Sequence, residues 1–279
     1  MYRYSMTQWI AGNQPIQKTL QQLKACGYDG VEFGAEPYQD LHALKAAMEE
    51  LGLICTSLCG MYTSQRDLAS SDPKIRECAQ KYLHDSIDMA ALLGAKLLIV
   101  VPSPVGKIAP DNTYEEAWEN ALLSIQAVAD HAQQNGVLLA MEAINRYETF
   151  LVPNLTLMKM FVEQVGHPSV KLMADLFHMA LEERSIEESL RIVAPHLVHI
   201  HIADNTREPA GFGLTDFKAT FRALGEIGYD GAITMEFLPP VANPYLAIQM
   251  DSQDGRMELY MRQSLDYIRC VVQTLDRAR

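Results

Sequence analysis

Four residues combine suitable chemistry with suitable spacing: Glu142 in LLAMEAINRYE, Asp175 in VKLMADLFH, His201 in LVHIHIAD and Glu236 in AITMEFLPP. Each stands at or near the end of a short apolar, β-rich run, and successive members are 33, 26 and 35 residues apart. Carboxylates brought together repel one another unless protons or a cation neutralise them. Two Glu, one Asp and one His form an oxygen-and-nitrogen donor set suited to Mn²⁺, Co²⁺ or Mg²⁺, without the thiolates of a structural zinc site. Taken singly, a carboxylate after an apolar strand reads better as the N-cap of the next helix. Four in register are harder to read that way.

These residues need a scaffold that brings distant strand ends together. Eight β-rich runs recur, at Arg3–Thr7, Gly30–Phe33, Leu53–Leu58, Lys96–Val101, Val137–Glu142, Val170–Asp175, Leu197–Ala203 and Ala232–Phe237. Helical periodicity separates them, as in Ile16–Cys26, Pro73–Leu93, Tyr114–Asn135 and Phe217–Ile227. Strands alternating with helices imply a parallel sheet. Eight such units in 279 residues predict an α/β fold, one (β/α)8 barrel domain spanning 1–279, whose C-terminal strand ends meet at one mouth. The tetrapeptide GYDG at 27–30 and again at 228–231 reads as the same helix-to-strand turn in the first and last units. An open doubly wound sheet would want a glycine-rich phosphate loop after its first strand, and the sequence has none there.

Composition narrows the classes. A hydrophobic fraction of 48% argues against disorder. Lys plus Arg number 23 against 35 Asp plus Glu, a net charge of −12 that repels nucleic acid. Five cysteines with no C-x-x-C make a zinc ribbon or a disulfide framework a poor reading. The opening MYRYSMTQWIAGNQ lacks a secretory pattern, and no apolar run reaches the roughly 18 residues of a membrane span, so the expectation is a cytoplasmic protein with no membrane partner.

The segments MEAINRYETF, DLFHMALEE, HIHIADNTREPAGFG and GYDGAITMEF resemble those of the sugar isomerase/epimerase superfamily with a xylose-isomerase-like TIM barrel, most closely the ketose 3-epimerases of the tagatose/psicose/ribulose group. The likeness runs from Gly27 to about Pro239 and is strongest from Met141 onward. It implies a divalent metal, Mn²⁺ first and Co²⁺ or Mg²⁺ as alternatives, held by Glu142, Asp175, His201 and Glu236. It also implies that Glu142 and Glu236 are the catalytic acid/base pair, inverting C3 of a ketose or related keto-sugar through a cis-enediolate that the metal stabilises. Glu148, His178 and Arg207 match positions that bind substrate, and a homodimer or homotetramer is implied. Within the same fold an aldose–ketose isomerase, a hydroxypyruvate-type isomerase, an inosose-type dehydratase and a sugar-phosphate 3-epimerase use similar sets. A non-catalytic sugar-binding protein would not need a glutamate on each face.

Departures from the family pattern fall in loops that recognise the distal part of the sugar. Ala180 stands where many members have Asn, the loop after the seventh run reads TREPAGFG, and VPSPVGK lacks an aromatic pair. Lys107 and Arg207 are the candidate donors for a phosphate, no dedicated phosphate loop is present, and the prediction is a neutral sugar. Asn145 and Arg146 are read as bracing their loop, and Phe212 as a cover for the substrate. Glu32 reads equally as a mouth residue or a salt-bridge partner, His199 as a donor behind a ligand or a packed histidine, and Cys55 and Cys59 as core residues on one strand face. Met261, Leu265, Ile268 and Val272 form the apolar stripe of a final helix against the barrel's outside.

Overall fold

The computed structural model describes residues 2–240 and 256–277. Its strands are β1 (Arg3–Thr7), β2 (Gly30–Gly34), β3 (Ile54–Cys59), β4 (Leu97–Val100), β5 (Leu138–Glu142), β6 (Val170–Asp175), β7 (Leu197–Ile202) and β8 (Ala232–Met235). Its helices are α1 (Ile16–Cys26), α2 (Leu41–Leu51), α3 (Pro73–Leu93), α4 (Tyr114–Gln134), α5 (Leu155–Val165), α6 (Leu176–Glu182), α7 (Ile186–Val193), α8 (Phe217–Glu226) and α9 (Arg256–Asp276). The strands pair in chain order, all parallel, and β8 closes onto β1. All eight expected strands form. Their ends shift by a residue or so, and Glu236 is the first residue past β8 rather than its last.

Between strands and helices lies the main apolar layer, where Leu20, Leu23, Leu83, Ile87, Phe161 and Phe217 are each at most 2% exposed. Each such side chain contributes about 1.5–3 kcal/mol by leaving water, so this layer holds the helices to the barrel. The final helix buries Met261, Leu265 and Ile268 against it and half-buries Val272, as the stripe predicts. Both GYDG turns put their first glycine in the left-handed region, Gly27 at φ 91° and Gly228 at φ 70°. No helix among the described residues is long and apolar enough to cross a membrane.

The barrel's interior is divided. Ile99, Ala140 and Met173, with Cys59 against them, make an apolar side. Opposite them runs a polar chain from Thr234 to Ser5 (2.5 Å), from Ser5 to Thr56 (3.0 Å), and through Ser57 to Glu32 (2.5 Å). Two strands carry an extra residue. Val31 and Glu32 are neighbours on β2, yet they pair with Cys55 and Ser57 on β3. Leu172 and Met173 are neighbours on β6, yet they pair with Leu197 and His199 on β7. Such bulges re-aim side chains. The first one separates Cys55, which packs in the main layer beside Val31, from Cys59, which faces inward. The two cysteines therefore do not share a face, contrary to the alternation of the sequence.

Candidate functional site

Glu142, Asp175, His201 and Glu236 meet at the C-terminal mouth, with ligand-competent atoms all within 4.8 Å of one another and all four residues buried. The strand ends place them: Glu142 and Asp175 close β5 and β6, His201 lies within β7, and Glu236 follows β8. Asp175 does two jobs with two oxygens. Its Oδ1 caps α6, accepting from Phe177 N (2.7 Å) and His178 N (3.3 Å). Its Oδ2 is buried and accepts no hydrogen bond. An orphaned carboxylate oxygen in a buried cluster of three acids costs free energy that a bound cation would recover. The donor set therefore fits a divalent ion.

Proton affinities in the cluster diverge. Burial raises Glu142 well above the carboxylate range, and the neighbouring Glu236 and Asp175 charges add to that, against the pull of His201 and Arg207. Burial acts on Glu236 too, but His201 and Arg207 more than offset it and hold the group below its ordinary value. The same surroundings thus push the two glutamates in opposite directions, Glu142 toward holding a proton and Glu236 toward releasing it. Burial also opposes charge on His201, yet the Glu32 and Glu236 carboxylates outweigh it and raise its proton affinity.

Above this floor stand the three other predicted residues. Arg207 is 6% exposed, donates to Glu236 Oε2 (3.1 Å) and stacks 4.4 Å over the Phe177 ring. His178 accepts at Nδ1 from Asn145 Nδ2 (2.7 Å), which leaves the Nε2 proton on the cavity side, 3.9 Å from Glu142 Oε1. Burial holds His178 down to about 3, so it stays neutral. Glu148 is half-buried and takes a hydrogen bond from Asn145 (3.0 Å). Asn145 therefore braces both, and Arg146 ties the same loop to α6 through Glu182 (2.6 Å).

Glu142, Glu236, Glu148, His178 and Arg207 line a cavity of about 170 Å³, whose other wall is Trp9, Cys59, Met61, Tyr62, Val101, Val105 and Ile144. Of that wall the sequence expectations held only Val101 and Val105, in the VPSPVGK loop; Trp9, Met61, Tyr62 and Ile144 had no counterpart there. Two larger depressions, of about 540 and 710 Å³, involve the N-terminal strand ends around Arg3 and Tyr229, far from the carboxylates. Other expectations change. Phe212 stacks on Tyr260 of α9 at 5.6 Å instead of covering the cavity. Lys107 is held by Asp67 (2.7 Å) and Asp111 (2.9 Å) and is not available to a phosphate. Glu32 and His199 lie inside the barrel beneath His201, so of its two readings Glu32 takes the salt-bridge one, paired with both histidines, and is not a mouth residue.

Residues 20–268 match the family model described as xylose isomerase-like TIM barrel. The chain is 30% identical over 242 residues to a D-psicose 3-epimerase of Ruminiclostridium cellulolyticum, covering 84% of this chain and 81% of that protein. It is 30% identical over 243 residues to an L-ribulose 3-epimerase of a Methylomonas species, covering 86% and 84%. The structure superimposes on that of D-psicose 3-epimerase with D-tagatose from Clostridium cellulolyticum at a TM-score of 0.87, 26% identity, and coverage of 96% and 99%.

Proposed function

The chain belongs to the xylose isomerase-like TIM barrel family, and from that premise we propose that it is a divalent-metal-dependent epimerase inverting C3 of a neutral ketose or related keto-sugar. The observation that carries the reading is the pair of buried glutamates, Glu142 and Glu236, driven in opposite directions by one environment. Carboxylates so separated are poised as acid and base. Glu142, Asp175, His201 and Glu236 would hold the cation, Mn²⁺ first among the candidates. When bound, it supplies positive charge that lowers the cost of an enediolate forming on C2 and C3 of the sugar.

The chain's own residues do the rest. For one epimer the ionised Glu236 takes the C3 proton, and the protonated Glu142 delivers one to the opposite face. For the other epimer the roles exchange. Arg207 and the Nε2–H of His178 are donors converging on the same part of the cavity, where they orient and polarise the oxygens near the carbonyl. Glu148 accepts from sugar hydroxyls. The apolar wall of Trp9, Met61 and Tyr62 excludes water from the carbanionic centre. The engagement of Lys107 by two aspartates supports a neutral sugar over a phosphate ester.

The test is proton NMR of the Mg²⁺-loaded enzyme in D₂O against free ketoses and keto-glycosides. Deuterium at C3 together with the new epimer is the result expected. Label at C1 or C2 with formation of an aldose would replace the reading by an aldose–ketose isomerase. Loss of the β-hydroxyl would replace it by a dehydratase, and turnover confined to the phosphate esters would refute the neutral substrate.

A further inference from the structure

We infer that Glu32, seated behind His201, is the positioning residue that fixes the His201 ring for cation binding, with Ser57 and His199 holding it in place. The inference rests on His201 being a ligand, as proposed above. Glu32 is fully buried and is not among the residues lining the cavity, so it has no route to the substrate. Its Oε2 receives Ser57 Oγ (2.5 Å), His199 Nε2 (3.0 Å) and His201 Nε2 (3.1 Å). The other oxygen is 3.0 Å from the same His201 nitrogen.

An ionised carboxylate can only accept. Both histidines must therefore present N–H at Nε2. In a neutral imidazole this leaves the lone pair of His201 on Nδ1, which faces Glu236 Oε2 at 3.0 Å and Asp175 Oδ2 at 3.9 Å. That is the side of the four-residue donor set. A carboxylate behind a ligating histidine fixes its tautomer and ring orientation and strengthens it as a donor.

The backbone supports the assignment independently. Both irregular strands in the barrel flank this carboxylate. The extra residue in β3 brings Ser57 opposite Glu32, and the extra residue in β7 sets His199 and His201 opposite Met173 and Asp175 on the inner face. With regular pairing of the same residues, Ser57 would turn out of the barrel in β3, and His199 and His201 together in β7. The chain spends two departures from regular pairing on one buried charge.

Glu32, His199 and His201 are themselves close enough to form a second, separate ligand group. The geometry favours hydrogen bonding over a second ion. Ser57 already occupies Oε2, and His201 Nε2 would have to give up its proton to bind there while Nδ1 serves the first site.

The experiment measures Mn²⁺ affinity and stoichiometry, by chelator competition and by electron paramagnetic resonance of the free ion, in wild type, Glu32→Gln and Ser57→Ala. Wild type should bind one ion per chain. Glu32→Gln, whose amide can also donate and so favour the wrong tautomer, should bind Mn²⁺ about 10–100-fold more weakly. With Mn²⁺ saturating, its kcat should fall while the sugar KM stays within about twofold, since Glu32 does not touch substrate. Histidine ¹⁵N shifts of the Mg²⁺-loaded proteins read the tautomer without turnover. Wild type should show His201 protonated at Nε2, and the variant should lose that signature. Ser57→Ala keeps the charge and should weaken binding by less than tenfold, which keeps the inference testable if Glu32→Gln does not fold. Equal affinity and equal ¹⁵N shifts in wild type and Glu32→Gln would overturn the inference and leave the epimerase reading intact. Two ions in wild type with one lost in Glu32→Gln would overturn it in favour of a second metal site. A wild type that binds no Mn²⁺ would instead sink the metal reading on which it rests.

Discussion

Arg207 is the only non-glycine residue with positive φ among those described, at 62°. Its neighbours impose that conformation. The buried Asp204 carboxylate accepts the N–H groups of Asn205, Gly211, Gly213 and Thr215 at 2.8–3.1 Å, and Arg207 N donates to Asp204 O at 2.8 Å. Leu238 N donates to Arg207 O at 2.7 Å. An L-residue in the left-handed region costs roughly 1–2 kcal/mol, which glycine does not. Glycine instead loses about 0.5–1 kcal/mol more backbone entropy on folding. Arg207→Gly should therefore be more stable than Arg207→Ala by about 0.5–1 kcal/mol, or about 1–4 °C in Tm for a chain of this size. Both variants lose the bond to Glu236 and the stacking on Phe177. Both should lose about 10²–10³ in kcat, the usual effect of removing one donor to a developing oxyanion. Thermal scans and C3-exchange NMR on the two variants separate the effects. If Arg207→Ala proves as stable as Arg207→Gly, the strain argument fails. If either keeps turnover within tenfold of wild type, Arg207 does not serve the substrate.

Glu236→Gln and Glu142→Gln should each lower turnover by about 10²–10⁴ while leaving the far-ultraviolet circular dichroism unchanged, and wild-type turnover in either would end the acid/base assignment. Mn²⁺ at 100 times its Kd should stabilise the protein by about 2.7 kcal/mol over the chelated form, and Asp175→Asn, which retains the α6 cap but weakens the donor set, should lose most of that gain. Equal Mn²⁺ stabilisation in Asp175→Asn would place the ion elsewhere. Burial depresses His178 in the folded chain to about 3, below its unfolded value near 6.5, so the unfolded state binds the extra proton as pH falls. The stability this neutral histidine contributes is thus present above pH 6.5 and declines by up to about 1.4 kcal/mol per pH unit below it. In urea titrations at pH 7, 6 and 5, His178→Gln should show a shallower decline than wild type, and parallel profiles would contradict the burial argument.

The alternation of β-rich runs and helical patterns carried the barrel, and the polar residues ending its late strands carried the floor of the site. Both signals are local. A strand-ending Glu142 or Asp175 is conspicuous because nothing apolar explains it. Most of the opposite wall of the cavity was not legible for the converse reason: Trp9, Met61 and Tyr62 look like core residues, and only the closed barrel turns them toward the glutamates. The environment of Glu32 was hidden differently. Strict alternation along ICTSLC puts Cys55, Ser57 and Cys59 on one face. The bulge between Cys55 and Ser57 breaks that parity, sending Cys55 to the helix side and Ser57 and Cys59 inward. No glycine or proline marks the spot in the sequence. Alternation fixes only the parity of a strand, so one unannounced extra residue reverses the assignment of everything beyond it. Here two such residues, one in β3 and one in β7, bring hydroxyl, carboxylate and imidazoles together beneath the mouth. The network that aims His201 is therefore a property of strand register: a variant deleting the extra Thr56 should keep Cys55 outward and Ser57 opposite Glu32 by ordinary alternation, with Mn²⁺ binding retained, and loss of binding on that deletion would refute the register argument.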